Sequence, residues 1–283
     1  MMIGYSVDSD LFLDGDLFRD SGILCDAYGG REAFWDILKN SVDSVEICGI
    51  GSYMKDPLRV LDAVKLCEKS GLYVTFHGNM SDGPDCIEEL FRPYLPVFAS
   101  GIQPLYNITL HPEVKMTDTQ DMMERICSYA DGKGYPVTFT LENLRYNDPT
   151  NVEMLCSKIA QIVGNVGSER LGICFDMGHR LSSLNKFGED SDPADDSFYS
   201  LVRHTHIHSL YKGVTHLPLT VGKSALDENL SALARNGYRG VLNLEVNLGR
   251  FDEPFDARES FEGSVRILKE AASRAFGDKS TTR

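Results

Sequence analysis

Six segments of the chain alternate polar and apolar residues, and each ends in a histidine or a carboxylate. They cover residues 73–77, 107–111, 138–142, 172–176, 204–208 and 241–245. Side chains alternate between the two faces of a strand, so Tyr73, Thr75 and His77 share one face in the first segment. An ordinary surface strand also alternates, but it does not end repeatedly on these residue types. Histidine and carboxylate groups together are typical metal ligands.

Strand-like and helix-like stretches alternate along the whole chain, which predicts a parallel sheet covered by helices. Strands are expected near 2–7, 45–50, 72–77, 105–111, 137–142, 171–176, 203–208 and 241–246. Helices are expected over 31–40, 57–70, 84–99, 117–133, 149–163, 194–202, 224–236 and 257–276. Residues 8–30 and the acidic stretch 185–197 are expected to be long loops that follow strand ends. Either loop could close over a site as a lid.

A closed barrel explains why one face of these strands is polar. An open doubly wound sheet lies under helices on both sides, so both of its faces should be apolar. In a barrel, only the outward residues pack under helices, while the inward ones line the lumen. The outward residues are expected to be Ile108, Leu110, Phe139, Leu141, Ile173, Phe175, Leu242 and Leu244. We therefore predict an α/β fold, a single-domain (β/α)8 TIM barrel over residues 1–276, with a disordered tail at 277–283.

The strands of such a barrel run in one direction, so their last residues gather at one mouth, where barrel enzymes keep their active sites. This geometry predicts that four residues far apart in sequence converge: Glu142, Asp176, His206 and Glu245. Three carboxylates and one imidazole form an oxygen-rich site for a divalent cation. Such a site suits Mn²⁺, Mg²⁺ or Co²⁺ and also accepts Zn²⁺.

Charge and composition indicate which classes of partner and which cell compartment are expected for this protein. The chain has 28 basic and 42 acidic residues, a net charge of −14, which weighs against binding nucleic acid. Its seven cysteines are scattered and never spaced as C-x-x-C, a pattern that favours reduced thiols inside a cell. No apolar run reaches the roughly 18 residues of a membrane span. The N-terminus also lacks the order of a signal peptide, so we expect a cytoplasmic protein without a membrane partner.

The chain resembles the xylose-isomerase-like TIM-barrel superfamily, which holds sugar-phosphate isomerases and epimerases as well as endonuclease IV. The resemblance is strongest in the last half, and by strand count it spans the whole length. It is carried by Leu141-Glu142-Asn143, Gly172-Ile-Cys-Phe-Asp176-Met-Gly-His179, His204-Thr-His206-Ile-His208, His216-Leu-Pro-Leu-Thr-Val-Gly222, and Gly237-Tyr-Arg-Gly240 leading to Leu244-Glu245.

The resemblance to the ketose 3-epimerases of this superfamily implies roles for single residues. The implied metal ligands are Glu142, Asp176, His206 and Glu245. Glu142 and Glu245 are implied to be the acid/base pair on opposite faces of the substrate, and His179 is implied to hold a substrate oxygen. The chain has Lys212 where those epimerases have an arginine six residues after the metal histidine. Lys212 keeps the positive charge but not the planar fork, so the group that it binds can differ.

Endonuclease IV uses further ligands, and the chain is similar to it at most of them. Its additional metal-binding histidines correspond to His77, His111, His179 and His216. The departure is Val214, because that enzyme has an aspartate two residues before the later histidine. A full trinuclear cluster is therefore not expected. These histidines are left as candidates for a second metal, bridged by Glu142, or for substrate contacts.

Two histidines of the late strand have other expected roles. His204 lies one layer deeper than His206 and is expected to be an interior histidine with satisfied hydrogen bonds. His208 is expected either to contact substrate at the mouth or to make a structural hydrogen bond.

We predict a metal-dependent isomerase or epimerase that acts on a small sugar or keto-sugar through an enediolate. It is expected to bind one divalent ion, for which Mn²⁺ is the first choice. A lyase or dehydratase of the same superfamily is an alternative, since proton abstraction beside a carbonyl starts either reaction. A metal-dependent phosphodiesterase like endonuclease IV is a second alternative, favoured by the histidines and opposed by net charge and Val214. A non-catalytic metal-binding protein is the least favoured. The sequence does not determine the exact substrate. It also does not determine the oligomeric state, for which a homo-oligomer is one alternative.

Overall fold

The structure, a computed structural model, describes residues 1–13, 17, 19–50, 54–78, 87–145 and 155–277. Within them the strands are β1 (Met2–Asp8), β2 (Ser44–Cys48), β3 (Tyr73–His77), β4 (Tyr106–Leu110), β5 (Val137–Glu142), β6 (Leu171–Asp176), β7 (Val202–Ile207), β8 (Ser209–Tyr211), β9 (Val214–Leu217) and β10 (Val241–Leu244). The predicted tail, apart from residue 277, and the predicted helix starts at 84–86 and 149–154 lie outside the described residues.

The helices of the same residues are α1 (Arg19–Tyr28), α2 (Arg31–Ser41), α3 (Pro57–Lys69), α4 (Ile87–Phe91), α5 (Leu95–Ser100), α6 (Met116–Lys133), α7 (Cys156–Val166), α8 (Met177–Phe187), α9 (Asp196–Ser200), α10 (Leu226–Arg235) and α11 (Ala257–Phe276). Among the described residues, no helix combines the length and the apolar composition that a membrane crossing requires.

Eight strands close into one parallel barrel in the order β1, β2, β3, β4, β5, β6, β7 and β10. The ring closes where Tyr5 of β1 pairs with Leu244 of β10 on one side and with Val45 of β2 on the other. The predicted (β/α)8 TIM barrel is therefore confirmed. The sequence analysis did not predict the antiparallel hairpin of β8 and β9, which follows β7 at the mouth of the barrel.

The alternation along the strands divides the barrel into an apolar shell and a polar lumen. All eight residues predicted to face outward are buried in the core cluster beneath the helices. Aromatic rings complete this shell: Phe261 of α11 packs edge-on against Tyr5 of β1, with ring centroids 4.9 Å apart, and against Phe34 of α2 at 5.7 Å. Each such buried side chain contributes roughly 1.5–3 kcal/mol, so the shell supplies the stability while the lumen is free to carry polar groups.

Three expected elements differ from the observed ones. The helix predicted over 84–99 is broken into α4, a 3-10 turn at Arg92–Tyr94, and α5, because Pro93 and Pro96 begin new helical segments. The predicted loop 8–30 contains α1, which carries Gly22 in its interior, a residue that weakens any helix prediction. The predicted loop 185–197 begins inside α8, which Asp176 caps by accepting the N–H of His179.

The N-terminus of α7 is capped from outside the helix by Asp192. Its Oδ1 accepts the N–H of Cys156 at 2.8 Å, and its backbone carbonyl accepts a hydrogen bond from Arg180 at 3.1 Å. The other carboxylate oxygen, Oδ2, is buried without a hydrogen-bond partner. Burial raises the pKa of Asp192 to about 6, although the N–H of Cys156 and the charge of Arg180 oppose this shift. The cap therefore binds a proton more readily in the folded chain than in the unfolded one.

We expect Asp192→Asn to change how stability depends on pH. The wild-type fold holds a proton at Asp192 between pH 3.8 and about 6 that the unfolded chain has released. The free energy of unfolding therefore falls as pH rises through this window, and asparagine removes this contribution. Relative to the variant, the wild type should lose about 2 kcal/mol between pH 4.5 and 7.5 in urea denaturation. Asp190→Asn, an exposed neighbour, is the control and should follow the wild type. Identical pH dependence for Asp192→Asn would contradict this assignment.

Candidate metal centre

The carboxyl ends of the barrel strands surround a cavity of about 310 Å³. Six of the residues singled out from the sequence line it: His77, His111, Glu142, His179, His216 and Glu245. They come from β3, the residue after β4, β5, α8, β9 and the residue after β10. The parallel strands thus bring together side chains that are separated by most of the sequence.

The four residues predicted to bind a metal lie together at the floor of this cavity. Glu142, Asp176, His206 and Glu245 each offer one ligand atom, and these atoms lie within 4.8 Å of one another. His206 occupies the centre, because its Nδ1 is 3.3 Å from Glu142 Oε2 and 3.2 Å from Glu245 Oε2. A single ion placed among these atoms would reach ligands from four separate strand ends.

Three atoms of this cluster are buried without a hydrogen-bond partner: Glu142 Oε2, His206 Nδ1 and Glu245 Oε2. Imidazole nitrogens of His77, His111 and His206 approach Glu142 Oε2 to 3.1–3.4 Å, but none of them is aligned to donate a hydrogen bond. Unsatisfied buried polar atoms are costly and uncommon in folded proteins. A divalent cation would satisfy all three at once, so the residues present fit a metal.

The sequence analysis missed Glu46, a fully buried carboxylate on β2. Glu46 Oε1 lies 2.9 Å from His206 Nε2, and Oε2 lies 2.9 Å from His204 Nε2. Ser6 and Asn243 also donate to Oε1, at 3.1 and 3.3 Å. Burial would raise the pKa of Glu46, but His206 and His204 hold it well below its usual range. The ionised carboxylate accepts a hydrogen bond from His206 Nε2–H and thereby turns Nδ1 toward Glu142 and Glu245.

A sequence signal for Glu46 exists. In 44–48 the carboxylate stands between Val45 and Ile47, both outward core residues, so the period of two places Glu46 on the inward face. Glu46 lies in the middle of β2, whereas the residues predicted from the sequence lie at strand ends.

Two further histidines stand against Glu142. His77 Nε2 lies 3.4 Å and His111 Nε2 3.1 Å from Glu142 Oε2, and their rings meet edge to face with centroids 4.8 Å apart. Burial opposes a charge on His77, but the adjacent carboxylate of Glu142 outweighs it and raises the pKa of His77 to about 9. His77, Glu142 and His206 also form a group whose ligand atoms could hold an ion. His77 and His111, two of the candidates for a second metal or for substrate contacts, therefore both lie beside Glu142.

Asn143 fixes the end of β6 beside Glu142. Its side chain accepts the N–H of Asp176 and donates to the carbonyl of Asp176, both at 2.9 Å. Asp176 in turn caps α8 and places His179, whose Nδ1 is 3.2 Å from the carbonyl of Asn143 and 3.4 Å from Glu142 Oε1. Burial opposes protonation of His179, but Asp176 and Glu142 raise its pKa to about 9.

His216 lies on the opposite side of the cavity, at the hairpin. Its Nε2 is 3.5 Å from Glu245 Oε2, and its Nδ1 lies 3.0 Å from both the hydroxyl of Thr215 and the guanidinium of Arg250. Burial lowers the pKa of His216 to about 4, so the ring is neutral at pH 7. The two donors at Nδ1 leave the ring proton on Nε2, which faces the carboxylate.

Two predicted substrate contacts do not line the cavity. His208 is buried beneath it, with Nε2 3.1 Å from Asp176 Oδ2. Lys212 lies in the exposed turn of the hairpin, where it forms an ion pair with Glu253 and stands over the ring of Tyr211. The role of Lys212 as a substrate contact therefore stays a prediction, for a side chain that this structure places outside the cavity.

The family model described as xylose isomerase-like TIM barrel matches residues 94–271, more than half of the chain. The chain belongs to this family. The resemblance inferred from the sequence motifs is thereby confirmed. No curated protein sequence matches the chain significantly.

Solved structures of other xylose isomerase-like barrels share the fold at low identity. A D-tagatose 3-epimerase-like protein has a TM-score of 0.62 and 18% identity, covering 94% of this chain and 98% of that one. D-psicose 3-epimerase from Clostridium cellulolyticum H10, solved with D-tagatose, has a TM-score of 0.61 and 11% identity over 96% and 99%. The IOLI protein, solved with a zinc atom, has a TM-score of 0.56 and 14% identity over 97% and 99%. These likenesses extend over whole chains and show the fold.

We expect Glu46→Gln to weaken metal binding by this xylose isomerase-like barrel. The amide cannot accept from both histidines, because one side of it is itself a donor, so the ring of His206 loses its fixed orientation. The Kd for Mn²⁺, measured by titration calorimetry on metal-stripped protein, should rise about 10- to 100-fold. The free energy of unfolding should fall by about 3–5 kcal/mol.

The matched control is Glu68→Gln, the same change on the exposed face of α3. It should leave both quantities within error of the wild type. A Glu46→Gln protein that binds Mn²⁺ as tightly as the control would show that Glu46 does not orient a metal ligand.

Proposed function

We propose that this barrel is a divalent-metal-dependent isomerase or epimerase that acts on a small sugar or keto-sugar through an enediolate. The observation that carries the proposal is the convergence of three unpaired buried atoms, on Glu142, His206 and Glu245, at the floor of the cavity. An apolar ligand would leave these atoms unsatisfied, whereas a cation with a chelating polyol substrate would not.

The size and lining of the cavity suit a sugar. At about 310 Å³ it lies at the small end of ligand pockets, which span about 300–1,000 Å³. Its wall offers hydrogen-bonding groups on several sides, including Ser6, Arg145 and Asn247 besides the histidines. Solved structures with this fold include a D-psicose 3-epimerase with bound D-tagatose, which supports a ketose as the substrate class.

The cation would be held by Glu142, Asp176, His206 and Glu245. When bound, it would polarise the carbonyl and neighbouring hydroxyl of the substrate and stabilise negative charge on their oxygens. Three carboxylates and one imidazole favour Mn²⁺, and the zinc in the IOLI structure supports Zn²⁺ as a second choice.

The proton transfers fall to the two glutamates. Burial opposes the ionised form of Glu245, but His206 and His216 hold its pKa well below the usual range. Burial likewise opposes ionisation of Glu142, and His206 and His111 outweigh it. Both carboxylates can therefore accept a proton, and they reach the cavity from β5 and from the end of β10. The ionised carboxylate that removes the proton beside the carbonyl keeps it. The other glutamate, which must first take up a proton from solvent, gives that proton to the opposite face, while His179 holds a substrate oxygen.

Two other reactions share parts of this site. A lyase or dehydratase would begin with the same proton abstraction and differ only in the fate of the intermediate. A phosphodiesterase would use a second ion held by His77, His111 and Glu142, which is the observation in its favour. The net charge of −14 opposes a nucleic-acid substrate.

Removing the metal should stop proton exchange with solvent. We expect chelator-treated protein to lose deuterium incorporation into D-tagatose in D₂O, followed by proton NMR, and one Mn²⁺ per chain to restore it. Apo protein reloaded with Mg²⁺ or Zn²⁺ serves to rank the ions. Two or three zinc ions per chain, nicking of abasic DNA and no exchange into any ketose would instead support the phosphodiesterase.

Glu245→Gln should abolish turnover with little loss of fold. The amide keeps the shape of the side chain but cannot take a proton, so kcat should fall by about 10²- to 10⁴-fold. Circular dichroism and thermal unfolding should stay close to the wild type. Glu270→Gln, on the exposed side of α11, is the control and should keep full activity. Retained activity in Glu245→Gln would refute its role as an acid/base group.

A further inference from the structure

The buried ring of His208 connects two parts of the candidate metal centre. It follows β7 directly and is 1% exposed. Its Nε2 lies 3.1 Å from Asp176 Oδ2, and its Nδ1 lies 2.8 Å from the backbone nitrogen of His216. One ring therefore contacts a predicted metal ligand on β6 and the hairpin strand β9.

These contacts decide which nitrogen carries the proton. The backbone N–H of His216 can only donate, so Nδ1 of His208 must accept and bears no hydrogen. The proton of the ring is then on Nε2, where it is donated to the carboxylate of Asp176. With one nitrogen accepting and the other donating, His208 has no lone pair left for a cation. His208, with Asp176, His179 and His216, belongs to a group whose ligand atoms could hold an ion, but its two hydrogen bonds assign it the role of a support and not of a ligand.

The ring of His208 fits only because residue 178 is a glycine. A Cβ at Gly178 would stand 2.0 Å from Cε1 and 2.1 Å from Nδ1 of His208. Gly178 lies between Asp176 and His179 in the Asp-x-Gly-His motif. The glycine of that motif thus provides the space from which His208 reaches the aspartate.

The other contact of His208 holds an unfavourable backbone conformation. His216 has a φ of 63°, a left-handed conformation that is unfavourable for a residue other than glycine. It is held from both sides, because its N–H donates to His208 and its carbonyl accepts from the N–H of Asn247 at 2.7 Å. This backbone sets the position of the His216 ring beside Glu245.

We propose that His208 is a positioning residue with two separate effects. Its Nε2–H orients Asp176 for the metal, and its Nδ1 holds the hairpin so that His216 faces the substrate cavity. The inference rests on the proposed function in one respect, that Asp176 is a metal ligand. Loading of the metal and the position of the hairpin then depend on the same side chain.

Two substitutions separate the two effects. In His208→Asn the side-chain oxygen stands near the position of Nδ1 and can accept from His216, but the side chain is too short to reach Asp176. In His208→Gln the amide nitrogen reaches the position of Nε2 and can donate to Asp176, but no acceptor remains for His216. Thermal unfolding of both variants checks that they fold.

We expect His208→Asn to raise the Kd for Mn²⁺ about 10- to 100-fold, with slow amide hydrogen exchange at His216 preserved. We expect His208→Gln to keep the Kd within about threefold of the wild type, which is small beside the loss expected when a supporting contact is removed. Amide exchange at His216 should become faster in this variant. Gly178→Ala displaces the ring of His208 without changing its chemical nature. This variant should both raise the Kd for Mn²⁺ and speed amide exchange at His216.

The outcomes distinguish this inference from the proposed function. If the wild type binds no divalent cation, the proposed function fails and the effect on Asp176 fails with it. If the wild type binds Mn²⁺ but a folded His208→Asn protein binds it equally well, the inference alone is overturned. Equal losses of metal affinity and of amide protection in both variants would also overturn it, because a merely structural residue gives that result.

Discussion

The carboxylate of Glu46 accepts hydrogen bonds from His204 and His206 inside the barrel, and the geometry of the metal cluster depends on this contact. A lone buried carboxylate is strongly destabilising, so Glu46 can exist there only with its partners in place. Because both its oxygens are engaged from fixed strands, the ring of His206 has one orientation. Nδ1 then lies beside Glu142 and Glu245, so a cation held there would be positioned by a residue that does not touch it.

Because side chains alternate between the two faces of each strand, the residues that stabilise the barrel face outward and the polar residues face inward. Outward residues such as Phe139 and Phe175 pack in the apolar shell, while the inward positions carry threonine, asparagine, histidine and carboxylate groups. All seven histidines of the chain lie in or under the cavity, and each contacts a carboxylate there. So many polar groups in a barrel interior do not maximise stability, which is the usual mark of a functional site.

The sequence predicted the barrel because alternation and strand-end residues are local signals. The strands and most helix positions follow from them, and so does the convergence of Glu142, Asp176, His206 and Glu245. The hydrogen bond between Glu46 and His206 could not be predicted, because the two residues are 160 positions apart in the sequence and no local pattern links them. The hairpin was missed because β8 and β9 are only three and four residues long. The role of Lys212 was predicted from its offset from His206 along the chain, and the structure places this side chain in an exposed turn.

The charges around His206 are those of a site that could hold a cation. Burial opposes protonation of His206, but Cys174 and the carboxylates of Glu245, Glu46 and Glu142 raise its pKa well above the usual range. The surroundings thus favour positive charge on the ring, while Nδ1 itself has no hydrogen-bond partner. A divalent cation supplies two units at a point from which Glu142, Asp176 and Glu245 can all be reached. In the proposed reaction, the charge of such a cation would also polarise the substrate.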